Sequence, residues 1–131
     1  LVLNFKFKFM KNLFCLFCIL FFSASLNAQV VGSASCKSKA SLLAGKEAGV
    51  IEITLPKSVI KENVEEYGSY YVKILTIGFD EKTHLATFNM VTNDENSRRV
   101  IIRFLSANQI QSVVVENKVF TLGDFYDNFL K

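Results

Sequence analysis

Residues 70–91 read YYVKILTIGFDEKTHLATFNMV, and the reading of this stretch decides the fold class. Its first arm, residues 70–79, is rich in Tyr, Val, Ile, Thr and Phe and is interrupted only by Lys73 and Gly78. Such residues suit a pleated surface. Asp80, Glu81, Lys82 and Thr83 then make a short polar break. In the second arm Ala86, Phe88 and Met90 alternate with Thr87 and Asn89, with Leu85 and Val91 at the ends, which is the two-residue period of a half-buried strand. Strand, tight turn, strand is therefore predicted. The first arm is apolar on both sides near residues 74–77. One sheet face is thus expected to lie against helices, and the other to be partly exposed or covered by a partner.

Upstream, residues 50–55 (VIEITL) predict a strand that Pro56 ends. Ser58 is the expected N-cap of a helix running to about Tyr67, with Ile60, Val64 and Tyr67 as its apolar face, Glu62, Glu65 and Glu66 outside it, and Gly68 as its stop. Downstream, the polar residues 92–97 precede a helix over 98–107, with Ile101, Phe104 and Leu105 on its buried stripe and Asn108 as a left-handed end. Residues 110–116 predict a fourth strand, and Val113, Val114 and Val115 suggest burial on both faces. Residues 116–118 turn the chain into Val119 and Phe120. Thr121 to Asp124 resembles a capping box opening a short terminal helix that presents Phe125 and Phe129, with Tyr126 and Leu130 alongside. The order strand–helix–strand–strand–helix–strand predicts an α+β ferredoxin-like βαββαβ plait: a four-stranded antiparallel sheet, two helices on one face, and a short C-terminal helix. Phe88 and Phe104 should meet in its core.

The start of the chain reads differently. Met10 and Lys11 precede ten apolar residues, 13–22, and a small-residue exit, SASLNAQ. These are the three parts of a secretory leader, and the run falls well short of the ~20 residues of a membrane span. Residues 1–28 are expected to be removed, with cleavage after Ala28 or after Ser25, and Met10 is the expected start. Residues 29–49, rich in Ser, Ala, Gly and Lys, are expected to be a flexible lead-in with a short helix at 39–46, ahead of one domain at 50–131.

Removing the leader changes the charge. Lys6, Lys8 and Lys11 account for the whole excess of fifteen Lys and Arg over twelve Asp and Glu. The mature part is neutral, which argues against nucleic-acid binding, since a phosphate-binding surface needs clustered excess cations. Only Arg98, Arg99 and Arg103 cluster, and on a helix they are expected to form a solvated face. Cys15 and Cys18 leave with the leader, so Cys36 is a lone thiol, expected to be exposed.

Residues 50–115 resemble a heavy-metal-associated domain in element order and length, in the Ala86-Thr87-Phe88 alternation, and in the amphipathic helix that ends at Asn108-Gln109-Ile110. That family holds its metal with a C-x-x-C between first strand and first helix. Here the loop is Leu55-Pro56-Lys57-Ser58, so the resemblance implies the fold and no metal role.

Other chemistry is equally thin. His84, beside the hairpin turn, and Cys36 are two lone ligands rather than a metal motif. Glu62 and Glu66 stand on a charged helix face that offers no cleft to shift a carboxylate pKa. Ser58 has no base, and a phosphate-binding loop after the first strand would need more than Lys57. No catalytic, cofactor-binding or metal residue is assigned, and no cofactor is expected. The expectation is an exported, non-enzymatic small domain that binds a protein or peptide through its open sheet face or an edge strand, with Tyr70, Tyr71 and Tyr126 as candidate surface aromatics. The terminal helix, or a second copy forming a homodimer, is the other candidate to cover that face; no membrane contact is expected after the leader is removed. The alternative is an exported metal-handling protein with Cys36 and His84 as its ligands.

Overall fold

The computed structural model describes residues 32–131. The expectations for the leader, its start at Met10, its cleavage, and Cys15 and Cys18 lie outside the described residues. The elements are β1 (Ser33–Cys36), α1 (Lys39–Ala48), β2 (Val50–Thr54), α2 (Lys61–Ser69), β3 (Leu75–Asp80), β4 (Leu85–Met90), α3 (Glu95–Ala107), β5 (Ser112–Val115), β6 (Lys118–Thr121) and α4 (Leu122–Phe125), which runs on as a π-helical turn (Tyr126–Leu130).

The four-stranded antiparallel plait is corrected. The chain is α+β, but its sheet is six-stranded and mixed, in the order β3-β4-β2-β1-β5-β6. The hairpin forms as read, with Ile77 opposite Phe88 and Thr76 opposite Asn89, and β4 pairs antiparallel with β2. The difference lies beside β2. In a plait the last strand would pair with β2 directly; here β1 sits between them, parallel to β5 and antiparallel to β2. Residues 33–48, expected as a lead-in, thus supply a central strand and a ten-residue helix. β1 reads SASC and offers the core only Ala34, 1% exposed, and the half-buried Cys36. Parallel pairing with β5 along the whole of β1 replaces the large apolar side chains that a sequence pattern would need.

One sheet face carries Leu75, Ala86, Phe88, Ile51, Ile53, Ala34, Val113, Val115 and Phe120, all buried. Buried residues from every helix join the same cluster, so the helices form a single layer over that face. α3 places Val100, Ile101, Phe104 and Leu105 inward, and the Phe104 ring meets Phe88 edge to face at 5.3 Å. The expected Phe88–Phe104 contact is present. Phe125 and Phe129 close the layer near β6, where Phe129 also meets Phe120 at 5.1 Å.

Local chemistry sets the ends of these helices. Ser38 caps α1 in a reciprocal box with Ser41. Asp94 caps α3, accepting from the Ser97 N–H at 2.7 Å. Thr121 caps α4 through the Asp124 N–H. Ser58 is not a cap: it sits in a turn in which the Val59 N–H donates to the Pro56 carbonyl, and α2 starts after Ile60 with no side-chain cap. Val59 therefore enters the core, while Ile60 is 51% exposed. Gly68 does not stop α2, which runs to Ser69. Residues 70–74 are turns rather than strand. At the end of α3 the left-handed residue is Gln109 (φ 61°), not Asn108 (φ −86°).

Arg98 is corrected most sharply. It is not part of a solvated face but is 8% exposed. Its Nε donates to the Leu130 carbonyl at 2.5 Å and a terminal nitrogen donates to Asn93 Oδ1 at 2.7 Å. The Asn93 amide in turn donates to the Lys46 and Glu47 carbonyls at the end of α1. Carbonyls at helix C-termini lack intrahelical donors and carry partial negative charge. One guanidinium, directly and through Asn93, thereby satisfies the ends of two helical segments.

Candidate binding surface: the uncovered sheet face and its seam

Side chains alternate across a sheet, so the residues between the buried ones point to the opposite face. They are Thr76, Gly78 and Asp80 on β3, Leu85, Thr87 and Asn89 on β4, and Val50, Glu52 and Thr54 on β2. Ser33 and Ser35 on β1, Ser112 and Val114 on β5, and Val119 and Thr121 on β6 complete the set. None is buried, and no helix among the described residues covers them. The face is small and polar, with Val50 (40% exposed) and Val119 (64% exposed) as its bare apolar side chains. One row crosses all six strands: Asp80, Leu85, Thr54, Ser35, Val114 and Val119.

That row also holds the one strand register pair that, among the described residues, joins the two three-stranded halves. β1 and β2 share a single register pair, Ser35 with Thr54. Beyond it the strands part. Lys37 would come opposite Glu52 but bends toward Ser38 and the start of α1. A cavity of about 380 Å³ opens at this seam, lined by Ser35, Cys36, Lys37, Ser41, Val50, Glu52, Thr54 and Leu85. On the far side of Ser35, the Ser33 and Ser112 hydroxyls are 2.7 Å apart and tie β1 to β5.

The residues weighed from sequence are scattered. Cys36 is not exposed on a flexible segment; it is half-buried in β1, and burial pushes its thiol up to about 12. A thiol in that state is a poor nucleophile at neutral pH. His84 ends the hairpin turn and is half-buried: it takes a left-handed backbone (φ 57°), its ring stands edge-on to Phe79 at 5.5 Å, and its Nδ1 is buried without a partner. Glu62 and Glu66 are exposed. Tyr70 is 66% exposed, but Tyr126 is 6% exposed, so the three tyrosines do not make one patch. Tyr126 instead holds α3, its hydroxyl donating to Glu95 Oε1 (3.1 Å) and accepting from Arg99 (3.2 Å). Among the described residues no three His, Cys, Asp or Glu side chains converge as a metal site, and no helix is long and apolar enough to cross a membrane.

Sequence reasoning missed the seam altogether. Ser35, Lys37, Ser41, Glu52 and Thr54 carry no motif, and only the β1 register brings them together. Comparison with known proteins finds no matching family model, no matching curated protein and no matching solved structure.

Proposed function

We propose that the chain is an exported, non-enzymatic binding module that holds a protein or peptide partner on the uncovered face of its sheet. The observation that carries this reading is the row from Asp80 to Val119: six strands wide, mixed aliphatic and polar, and free of helix cover among the described residues. Mixed small polar and aliphatic side chains with unpaired strand edges suit adaptable contact with another polypeptide. The protonated thiol of Cys36 is consistent with a role that uses no nucleophile.

A photo-crosslinking residue placed at Asn89, exposed on this face, should capture a partner from the native exported fraction. The same residue at Arg103, exposed on α3, should not. Equal capture at both positions, or none at Asn89, would sink the reading. Export is tested by mass spectrometry of the recovered protein, which should begin near Gln29; an intact leader on membrane-bound protein would argue against it.

A further inference from the structure

Backbone parity decides where the β2 main chain points. Met90 donates to the Gly49 carbonyl and Leu55 donates to the His84 carbonyl. Antiparallel pairs alternate between hydrogen-bonded and non-hydrogen-bonded, so Ile51 and Ile53 share the β4 side with Gly49 and Leu55. Val50, Glu52 and Thr54 must direct their N–H and C=O groups the other way. Thr54 meets Ser35 there, and the Val50 carbonyl meets α1, where a Cβ on Gly45 would stand 2.5 Å from its oxygen. Between them the main chain of Glu52 has no strand opposite it, and it faces the seam cavity.

We propose that this seam is a strand-addition site: a short extended peptide enters between β1 and β2 and pairs antiparallel with Glu52. The inference rests on the binding reading above and narrows it to one place and one ligand class. The Ser35–Thr54 pair closes one end of the slot and the Gly45–Val50 approach closes the other. At about 3.3 Å per residue, the distance from Val50 to Thr54 admits roughly three extended residues. The lining opposes one ammonium, Lys37, to one carboxylate, Glu52, and adds the hydroxyls of Ser35, Ser41 and Thr54. This balanced set suits a neutral backbone over a free anion or cation. The outward N–H and C=O of one strand residue are met together by one partner residue of an antiparallel strand, which is how strand addition gains affinity. Ser41 forms the helix-side wall, and the peptide's ends leave over the uncovered face.

The probe is an array of blocked hexapeptides randomised over Ser, Thr, Val, Ile, Lys and Glu, screened against the purified chain. Individual binders are then titrated while the protein amide spectrum is followed. The amides of Ser35, Lys37, Ser41 and Glu52 should shift together. N-methylation of the binder at the residue that pairs with Glu52 should weaken it at least tenfold. Glu52→Pro, which removes the cavity-facing N–H together with the carboxylate, should do the same in protein whose amide spectrum stays folded. Ser41→Leu gives an independent check: it fills the slot from α1 and keeps the bond from the Ser41 N–H to Ser38 Oγ, while losing the reciprocal bond from the Ser38 N–H to Ser41 Oγ. Binders that shift only Thr76, Asn89 or Val119 and tolerate N-methylation would overturn the seam assignment while leaving the face reading intact. An array without binders would also overturn the assignment; the face reading would then rest on crosslinking at Asn89.

Discussion

The two halves of the sheet are built by opposite means. β3, β4 and β2 form a wholly antiparallel set in which the strands pair along their length, and its central strand contributes Phe88 to the core. β1, β5 and β6 depend on a parallel pair formed by segments 79 residues apart, and β1 brings one small buried side chain to it. The first half is held by bulky packing beneath α3. The second is held by close backbone pairing and by the terminal aromatics. The contrast teaches where plasticity belongs: the sheet is continuous in order but stitched at one pair, so the seam can admit something that neither half can.

Removing a ring from the first half should cost most. Phe88→Ala or Phe104→Ala should each lose about 3–5 kcal/mol, since both are fully buried and pack on each other. Against a total of about 5–15 kcal/mol such variants should be largely unfolded or poorly recovered. Val113→Ala, the matching truncation in the second half, should cost about 2 kcal/mol. Urea melts of the three proteins check both values, and equal losses would break the contrast between halves.

Cys36 reports on the second half chemically. With its thiol pushed up to about 12, alkylation of the folded protein at neutral pH should be on the order of a hundred- to a thousandfold slower than in denaturant. Near-equal rates would mean that β1 opens readily at the seam.

Arg98 sharpens the comparison from outside the sheet. Arg98→Ala leaves the Leu130 carbonyl and Asn93 Oδ1 without their donor and should cost about 1–3 kcal/mol in a urea melt. Arg98→Lys should recover only part of that, because an ammonium lacks the planar fork that reaches both Leu130 and Asn93. Arg99→Ala should cost less than Arg98→Ala, as its contacts with the Tyr126 ring and Glu95 are made by a half-exposed side chain.

The smallest effect concerns acid. The Ser97 N–H, aided by nearby Arg98, holds the Asp94 carboxyl below its ordinary 3.8. Its contribution is therefore present above 3.8 and is lost as pH falls through the lower folded-state value. Asp94→Asn should flatten that acid limb in thermal melts, and an unchanged limb would remove Asp94 as its source.

What was legible follows the same division. The alternation of Ala86, Phe88 and Met90 and the helical stripe of Ile101, Phe104 and Leu105 are period signals, and both appear in the fold. β1 has no period to read, because Ser33, Ser35 and Cys36 are small and a parallel partner far along the chain leaves no local trace. Ser58 misled because a hydroxyl before a helical pattern resembles a cap wherever it stands, and here Pro56 holds it in a turn. Arg98 carried a usable signal: with Ile101 and Leu105 it falls at i, i+3, i+7, on the inward stripe. The seam had none, since its residues meet only through the register between β1 and its neighbours.

The parallel β1–β5 pair also sets a timetable for the newborn chain. As residues leave the ribosome in order, β1 emerges about 80 residues ahead of the strand that completes it. At 5–20 residues per second, that is a wait of about 4–16 s. Over that interval the central strand can neither complete its parallel pair nor sit in the middle of a finished sheet. The six-stranded sheet therefore stays incomplete until residues 112–115 have been made.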